Sequence, residues 1–463
     1  MTSSQSIAAQ VGTTTETPSA KGKYWIDDWR PEDEVFWQTT GSRVARRNLV
    51  FSVLSEHIGF SVWSLWSVLV LFLGPEYGID AAGKFLLTAV PTLFGAGLRL
   101  PYTFAVAKFG GRNWTIISAL LLLVPTVLIA IVLTPGVSYT TLLVVAAFGG
   151  LGGGNFASSM ANINAFYPAK YKGWALGVNA GGGNLGVPAV QLVGLLVLAV
   201  AGASHPRVMV AIYIPLIVLA ALGAALYMNN LTNAMNAKGA MRRVARDRHT
   251  WIMSFLYIGT FGSFIGFGFA FGQVLLAEFP QSFPTPVKAA ALTFLGPLLG
   301  SLIRPFGGML ADRLGGARVT FWNFLAMAVS AGVVLLASTA VRSLPMFVIG
   351  FVLIFVFSGL GNGSTYKMIP AIFRAKARYN VETTGADEPT EMAKAQRLAS
   401  ALIGIAGAIG AFGGVLVNLA FRQSFLSLKN GNGAYLSFIA FYFVCMFVTW
   451  FVYLRKAHHL SGV

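Results

Sequence analysis

The sequence predicts an all-α membrane protein whose twelve transmembrane helices form two six-helix halves. The first observation is composition, because 56% of the 463 residues are hydrophobic and only 11% are charged. Soluble domains carry about 25% charged residues, so we expect lipid to absorb the excess of apolar side chains. The second observation is twelve apolar runs of the roughly 20 residues that cross a bilayer. The third is an internal repeat that relates the two halves.

The apolar runs divide the chain into two bundles. They lie at approximately 49–73, 84–107, 114–133, 141–167, 174–201, 208–228, 251–275, 289–311, 319–340, 345–372, 398–420 and 434–454. The predicted regions are an N-terminal tail (1–47), a first bundle (48–228), a linker (229–250), a second bundle (251–455) and a C-terminal tail (456–463). Glycine, with 52 residues, suits such bundles because small residues let helices approach closely.

Lysine and arginine are distributed unevenly between the two ends of the predicted helices. One side carries 24 of the 33, the other carries six, and three lie inside apolar runs. Loops rich in these residues stay in the cytoplasm, so we predict a bacterial inner-membrane protein with both termini cytoplasmic. We expect no cleavable signal in the polar N-terminal tail. The linker fits a solvated cytoplasmic segment, with a lipid-binding or calmodulin-target helix as the alternative, because it contains Arg242, Arg243, Arg246 and Arg248.

Charge and residue types exclude several other functions. A formal net charge of +17 would suit nucleic acid, but the positive residues lie in short loops between apolar runs. The lone cysteine, Cys445, lies in an apolar run, which excludes disulfides and cysteine-based metal sites. Five histidines and one intramembrane acid leave no haem or metal constellation. We therefore predict a protein that is not an enzyme and that uses no cofactor or metal.

The two halves repeat part of their sequence. A shift of 205 residues places Arg99 over Arg304, and a basic, glycine-containing turn follows each of them. Two parallel halves imply a central site at their interface and alternating access by rocking of one half against the other. A second shift, of 227 residues, pairs the glycine-rich stretches 177–186 and 404–413.

Three basic residues and one acid lie inside the predicted helices. They are Arg99, Arg304, Lys367 and Glu56. A charge at the centre of a span costs about 2.5–3.5 kcal/mol on insertion scales, and a guanidinium does not escape by losing its proton. The interior is therefore net positive, and a mobile anion is the natural partner for the two arginines. The alternative is that each arginine pairs with backbone carbonyls or with Glu56 for structure alone.

One short segment resembles the cytoplasmic loop motif of the major facilitator superfamily. It is GGMLADRLGGAR (307–318), and the resemblance implies the fold of that superfamily. The resemblance also implies that Asp312, next to Arg313, forms a salt bridge to a neighbouring helix end and holds the outward-open state. The first half has Ala107 where the acid would be, so its copy of the motif is degenerate.

Longer segments resemble the nitrate/nitrite porters of that superfamily, the NarK/NarU type. They are WRPEDEVFW (29–37), GGNFASSMANINAFYP (153–168), GWALGVNAGGGNLG (173–186), WIMSFLYIGTFGSFIGF (251–267), GLGNGSTYKMIPAIF (359–373) and GIAGAIGAFGG (404–414). The resemblance runs from about residue 28 to residue 455 and implies transport of nitrate or nitrite by alternating access. The substrate-binding residues that it implies are Arg99, Arg304, Phe156, Tyr257, Phe261 and Asn184. The glycines that it implies at sliding helix contacts are Gly177, Gly181, Gly183, Gly186, Gly404, Gly407, Gly410 and Gly413.

Nitrate suits the chemistry of these side chains. It is flat and singly charged, and guanidinium presents its donors in a fixed planar fork that can grip two oxygens. Tyr257 and Phe261 are four residues apart and share a helix face, although aromatics taken alone often fill cores or face lipid. We predict hydrogen bonds between helices for Asn155, Asn162, Asn164 and Asn179. A carrier for another small anion and an anion channel are the competing hypotheses.

Three residues bear on coupling to protons. If Glu56 reaches the arginines, it neutralises the empty site and gains a proton when nitrate displaces it, which gives proton–nitrate symport. Without such a carboxylate, closure needs an anion in each direction, which gives nitrate/nitrite antiport or nitrite extrusion. His57 can relay protons, and Lys367 can instead pair permanently with Glu56. We predict symport by a monomer whose partners are nitrate, nitrite, protons and membrane lipids.

Overall fold

The computed structural model describes residues 22–232 and 238–455. Over these residues, twelve helical runs are long and apolar enough to cross a membrane, which confirms the predicted fold class. Parts of the predicted regions lie outside the described residues, namely 1–21 of the N-terminal tail, 233–237 of the linker and 456–463 at the C-terminus.

The spanning runs are numbered in chain order. They are α1 (Glu34–Phe72), α2 (Ala81–Phe109), α3 (Gly111–Val132), α4 (Tyr139–Phe166), α5 (Ala169–Val200), α6 (Pro206–Tyr227), α7 (Arg248–Glu278), α8 (Pro286–Leu314), α9 (Gly316–Thr339), α10 (Leu344–Thr384), α11 (Glu388–Leu428) and α12 (Asn432–Leu454). The shorter elements are strands β1 (Trp25–Ile26) and β2 (Asn230–Leu231), a 3₁₀ turn (Pro75–Tyr77) and a linker helix (Lys238–Val244).

Several spanning runs are interrupted near the middle of the bundle. In α4 the helix stops at Gly153 and restarts at Asn155, and in α5 it is interrupted at Leu185. In α7 a π-helical turn occupies Ile258–Gly262. Such interruptions free backbone carbonyls and re-aim side chains, and π turns are frequent at functional sites.

The internal repeat is visible in the backbone. α2 ends at Gly110 with φ 86°, and α8 ends at Gly315 with φ 89°. Only glycine adopts this left-handed region without strain, so each turn needs a glycine at this position. The same turn therefore follows the second helix of each half, as the shift of 205 residues predicts.

The two halves pack together at the end of the molecule that lies away from the described chain ends. There the Thr88 hydroxyl of α2 donates to Asn418 Oδ1 of α11 at 2.7 Å, and Phe85 stacks on Phe421 with ring centres 5.4 Å apart. Nearby, Gln191 of α5 donates to the Gly268 carbonyl of α7 at 2.8 Å. These contacts close this end of the interface between the halves.

Helix boundaries differ from the predicted ones mainly at the opposite end. α1 begins at Glu34 instead of residue 49. α10 continues to Thr384 instead of ending at residue 372, and α11 begins at Glu388 instead of residue 398. Hydropathy ends a span where the polar residues begin, but helical hydrogen bonding continues through these polar turns. In the predicted N-terminal tail, β1 pairs in parallel with β2 at the start of the linker, and the Asn230 N–H donates to the Tyr24 carbonyl at 2.8 Å.

Candidate anion site

Arg99 lies within α2 and is completely buried. Its Nε donates to the Gly153 carbonyl of α4 at 3.2 Å, and its Nη1 donates to the Gly407 carbonyl of α11 at 2.6 Å. The Gly153 carbonyl is accessible because α4 is interrupted at the next residue. Among the described residues, Nη2 has no hydrogen-bond partner. Because a buried charged donor without a partner costs more than about 1–3 kcal/mol, this nitrogen favours an added acceptor.

Aromatic rings surround the Arg99 guanidinium. Its central carbon lies 4.6 Å from the ring centre of Phe156 and 5.0 Å from that of Phe261. The Trp63 ring of α1 is 5.3 Å away. Ring faces attract a guanidinium and exclude water from it, so the site holds this charge with few polar contacts.

Arg304 of α8 occupies the matching position in the second half. Its Nη2 donates to the Tyr257 hydroxyl at 3.2 Å, and its central carbon lies 5.5 Å from the ring centre of Tyr366. Arg304 Nη1 and the Tyr366 hydroxyl are both buried and have no hydrogen-bond partner among the described residues. The two arginines together therefore present two unpaired donor nitrogens.

An aromatic stack joins the two arginines. Tyr257 stacks on Phe261 with ring centres 5.2 Å apart and planes 11° from parallel, and Phe261 lies over Phe156 at 6.0 Å and 28°. Tyr257 binds Arg304 at one end of this stack, and Phe156 lies beside Arg99 at the other. The π-helical turn Ile258–Gly262 directly follows Tyr257 and contains Phe261.

The charges in this region do not balance. Arg99 and Arg304 are close enough to repel each other, and Glu56 lies within electrostatic range of both. Two guanidinium groups against one carboxyl leave at least one excess positive charge in a buried place. A monovalent anion between the halves would compensate it.

Glu56 of α1 is 1% exposed and binds polar side chains of its own half. Its Oε2 accepts hydrogen bonds from the Ser159 hydroxyl of α4 and, at 2.5 Å, from the Asn179 amide of α5. Its Oε1 has no partner among the described residues. Asn179 thus makes the predicted contact between helices, while the direct partners of Glu56 are Ser159 and Asn179 instead of the arginines.

Asn184 lies at the interruption of α5 and is 1% exposed. Neither its amide nitrogen nor its amide oxygen has a partner within the described part of the chain. It therefore stays available to a ligand, which is compatible with the role that the resemblance implies.

The predicted glycines fall into two groups. Gly183 and Gly186 lie against Glu56 and His57 of α1, whereas Gly410 and Gly413 lie against the Tyr257 ring and the Gly262 backbone of α7. These four glycines make close contacts between helices, the first two within the first half and the other two within the second half.

The other four glycines have fewer neighbours. Gly177 and Gly181 have open space beside them, and Gly404 lies next to Met241 of the linker helix. The carbonyl of Gly407 is the one that binds Arg99. Sliding at any of these positions stays a prediction.

The remaining predicted residues lie around the site. Lys367 forms a salt bridge with Asp312 at 2.7 Å, and both side chains are about half exposed. Arg313 is exposed in the last turn of α8. His57 Nδ1 lies 3.1 Å from the Gly182 carbonyl. Lys367 therefore has Asp312 as its acidic partner, and this pair lies within the second half.

Sequence reasoning missed two members of the site. Tyr366 directly precedes Lys367 in one of the segments that resemble the porters, which was the available signal. Trp63 gave none, because tryptophan is common in membrane helices. Over residues 22–232 and 238–455, no group of three or more His, Cys, Asp or Glu side chains is placed to hold a metal ion.

One face of α5 runs from the site toward the end that carries the described chain termini. This face carries Asn184, Gly181 and Gly177 on successive turns. Trp174 continues this face, with 61% of its surface exposed. Asn184 is buried, whereas the two glycines have open space beside them. Exposure along this face therefore rises from Asn184 toward the end that carries the termini, whereas Thr88 and other contacts close the opposite end.

Comparisons with known proteins agree with this architecture. Residues 53–411 match the family model described as Major Facilitator Superfamily. The chain is 37% identical to the "Nitrate/nitrite transporter NarU" of Salmonella typhimurium, over 94% of this chain and 97% of that protein. It is 34% identical to the "Probable nitrate/nitrite antiporter NarK2" of Thermus thermophilus, over 95% and 98%.

Solved structures show the same fold at low identity. The crystal structure of a D-xylose-proton symporter is similar with a TM-score of 0.66 and 15% identity, over 91% of this chain and 99% of that one. At this identity only the fold is shared. The family match and the two relatives show the family as well as the fold. The chain is a membrane transporter of the major facilitator superfamily and belongs to its nitrate/nitrite porters, the NarK/NarU type.

Proposed function

We propose that this transporter moves nitrate, nitrite or both across the bacterial inner membrane, with the anion held between Arg99 and Arg304. The observation that carries the proposal is the pair of buried donor nitrogens, Arg99 Nη2 and Arg304 Nη1, one from each half. The names of the relatives, a nitrate/nitrite transporter and a nitrate/nitrite antiporter, support the choice of substrate.

A flat monovalent anion fits the surroundings of these nitrogens. Each guanidinium can donate to one or two oxygens in its own plane, and nitrate has three equivalent oxygens. The rings of Phe156, Phe261 and Tyr257 form the stack between the arginines and present apolar faces. A weakly hydrated ion loses less than a strongly hydrated one on entering such a place, so nitrate and nitrite are favoured over phosphate.

Transport follows from the connection between the halves. Because Arg99 of the first half binds the Gly407 carbonyl of the second, the site itself lies on the interface that must rearrange. We infer that the end carrying the termini is cytoplasmic, from the excess of Lys and Arg in its loops. On this orientation, the exposed face of α5 belongs to an inward-open carrier.

Coupling to protons is the finer proposal, and Glu56 is its agent. The carboxyl group is buried within the field of two arginines, and symport requires that it be ionised in the empty carrier despite its burial. A bound anion cancels part of this field, so Glu56 takes up a proton as nitrate arrives. The loaded carrier then has the same net charge as the empty one, and both can change conformation. This cycle is proton–nitrate symport.

Nitrate/nitrite antiport is the second candidate, and one observation favours it. Ser159 and Asn179 hold Glu56 Oε2, which keeps the carboxyl group out of direct contact with Arg99 and Arg304. If these bonds keep Glu56 from reaching the arginines throughout the cycle, the two guanidinium groups of the empty site stay uncompensated and each crossing needs an anion.

Proteoliposomes distinguish the two candidates. Symport predicts uptake of labelled nitrate into vesicles without internal nitrite, driven by an acid-outside pH gradient, and loss of this response in Glu56→Gln. Antiport predicts uptake only when nitrite or nitrate is trapped inside. A matched control is Glu278→Gln, which changes a partly buried carboxyl that accepts from the Gly431 N–H far from the site. Absence of nitrate movement under both conditions would overturn the substrate assignment itself.

A further inference from the structure

Three arginines lie together at the start of the regular helix in α1. Arg43, Arg46 and Arg47 are exposed, and with Ser42 and Val50 they line an open cavity of about 500 Å³. The Arg47 Nη2 donates to Asn229 Oδ1 at 2.6 Å. Among residues 22–232 and 238–455, no salt bridge involves any of the three arginines. The cavity therefore carries an uncompensated positive charge.

An apolar stripe continues from this cavity along the same face of α1. Val50 is 55% exposed and Leu54 is 41% exposed. Residues 43, 47, 50 and 54 recur at helical spacing, so the charged end and the apolar stripe form one surface. Its polarity changes within about one turn, as the polarity of a bilayer does between headgroups and acyl chains.

Helices α5 and α6 flank the cavity and the stripe, which together are called the groove. On one side Val53 of α1 packs against Gly182 of α5, and on the other side Phe51 packs against Gly223 of α6. The Phe51 ring also stacks on Tyr227 at the end of α6, with ring centres 4.7 Å apart. Glu56 leaves α1 toward α4 and α5, away from this groove. The groove is thus separate from the anion site and opens at the side of the helix bundle.

We propose that this groove binds an anionic phospholipid, with its phosphate on Arg43 and Arg46 and an acyl chain along Val50 and Leu54. Guanidinium groups bind phosphate oxygens in pairs, and basic pockets between membrane helices on the cytoplasmic side suit anionic headgroups. A free anion would explain the arginines but would leave the apolar stripe in the same groove without a role. The proposal does not depend on which anion the carrier transports.

Lipid binding to the purified full-length transporter tests the proposal. Native mass spectrometry in detergent would compare retention of added phosphatidylglycerol and phosphatidylcholine. We expect wild type to prefer phosphatidylglycerol by about 30-fold, the contribution of two arginines at a membrane surface. The preference should disappear in Arg43→Gln/Arg46→Gln. The matched control is Arg242→Gln/Arg243→Gln, which removes two exposed arginines from the linker helix and should retain it.

Two further measurements separate the outcomes. Inorganic phosphate at millimolar concentration should fail to displace phosphatidylglycerol. If phosphate displaces the lipid in proportion to its molar excess, the site is a phosphate site and the proposal fails. The melting temperature without added lipid should be equal in the two double variants, which shows that both fold. A folded Arg43→Gln/Arg46→Gln protein that still prefers phosphatidylglycerol by the wild-type factor would also overturn the proposal.

Discussion

Arg99 Nη1 donates a 2.6 Å hydrogen bond to the carbonyl oxygen of Gly407, so the buried arginine of one half is bound directly to the backbone of the other. The same guanidinium binds the Gly153 carbonyl through Nε. Two of its nitrogens thus fix its position, and the third is left for a ligand. A movement that separates the halves must break the bond to Gly407 and re-form the surroundings of this charge.

The first prediction concerns Arg99→Lys. A lysine has one nitrogen and cannot bind both carbonyls while it also presents a donor to the anion. A lost hydrogen bond to a charged group is worth about 1.5–3 kcal/mol, so the affinity for nitrate should fall by about 10-fold to 100-fold. Equilibrium binding of nitrate to purified protein measures this. Arg304→Lys should behave alike.

A control for these variants is Arg207→Lys, because Arg207 also donates to a backbone carbonyl, that of Ile131, but at an exposed position. It should bind nitrate as wild type does. Unchanged affinity in Arg99→Lys or Arg304→Lys would show that the anion does not sit between these two residues.

The second prediction concerns the hydroxyl of Tyr366. This group is buried, has no hydrogen-bond partner among the described residues and lies beside Arg304. Tyr366→Phe removes only the oxygen, so the melting temperature should stay unchanged or rise slightly. If the hydroxyl donates to the anion, the affinity for nitrate should fall by about 10-fold, the value of one such bond. Wild-type affinity in this variant would exclude Tyr366 from the site.

The contrast between Arg304 and Tyr366 shows what the sequence can reveal. Arg304 was predictable because a permanent charge in an apolar run is expensive and because the repeat pairs it with Arg99. Tyr366 was not, since an aromatic in an apolar run is ordinary and its contact with Arg304 joins residues that are far apart in the chain. The unexpected partners of Glu56 have the same cause. Ser159 and Asn179 lie on two other helices, and packing of helices, not local pattern, decides which polar groups meet.

The fold itself was more accessible to prediction. Span number depends on hydropathy summed over about 20 residues, which is robust to single errors. The start of α1 at Glu34 was missed because polar helical turns carry no such signal. Asp33 accepts a hydrogen bond from the Phe36 N–H there, and a helix cap of this kind was the local signal that hydropathy ignores.

The third prediction separates two kinds of glycine. A Cβ at Gly413 would lie 2.8 Å from the Gly262 backbone, whereas a Cβ at Gly177 would meet open space. Gly413→Ala should therefore destabilise the protein by about 1–3 kcal/mol, as overpacking does. Gly177→Ala should leave the melting temperature unchanged or raised in this conformation. Thermal unfolding in detergent measures both.

Gly177→Ala should reduce transport although it leaves the stability of the protein unchanged or raised. If the exposed face of α5 closes on the second half when the carrier turns outward, the added methyl group meets that surface. Uptake should fall by about 10-fold for a strain of about 1.4 kcal/mol. Wild-type uptake in Gly177→Ala would mean that this face of α5 does not make a tight contact in the outward-facing state.

The fourth prediction concerns the pH dependence of a contact at the start of α7. Asp247 caps α7 by accepting from the His249 N–H at 2.9 Å, and it forms a 2.5 Å salt bridge with Lys376 of α10. Burial raises the pKa of Asp247, but hydrogen bonds from Lys376 and the His249 backbone outweigh it, so the pKa lies below its usual value. A lowered pKa stabilises the folded state above the unfolded value of about 3.9, and this contribution is lost as the pH falls through the folded pKa.

Asp247→Asn should therefore lower the free energy of unfolding by about 1 kcal/mol at pH 7, a modest value because the pair is partly exposed. The difference from wild type should shrink as the pH falls below about 4, since wild type then loses the same charge. Thermal unfolding at pH 7 and at the lowest pH that the detergent-solubilised protein tolerates measures this. Glu382→Gln changes an exposed acid on α10 and should show no such difference. If the Asp247→Asn deficit stayed constant down to pH 3, its origin would be the shape of the side chain and not its charge.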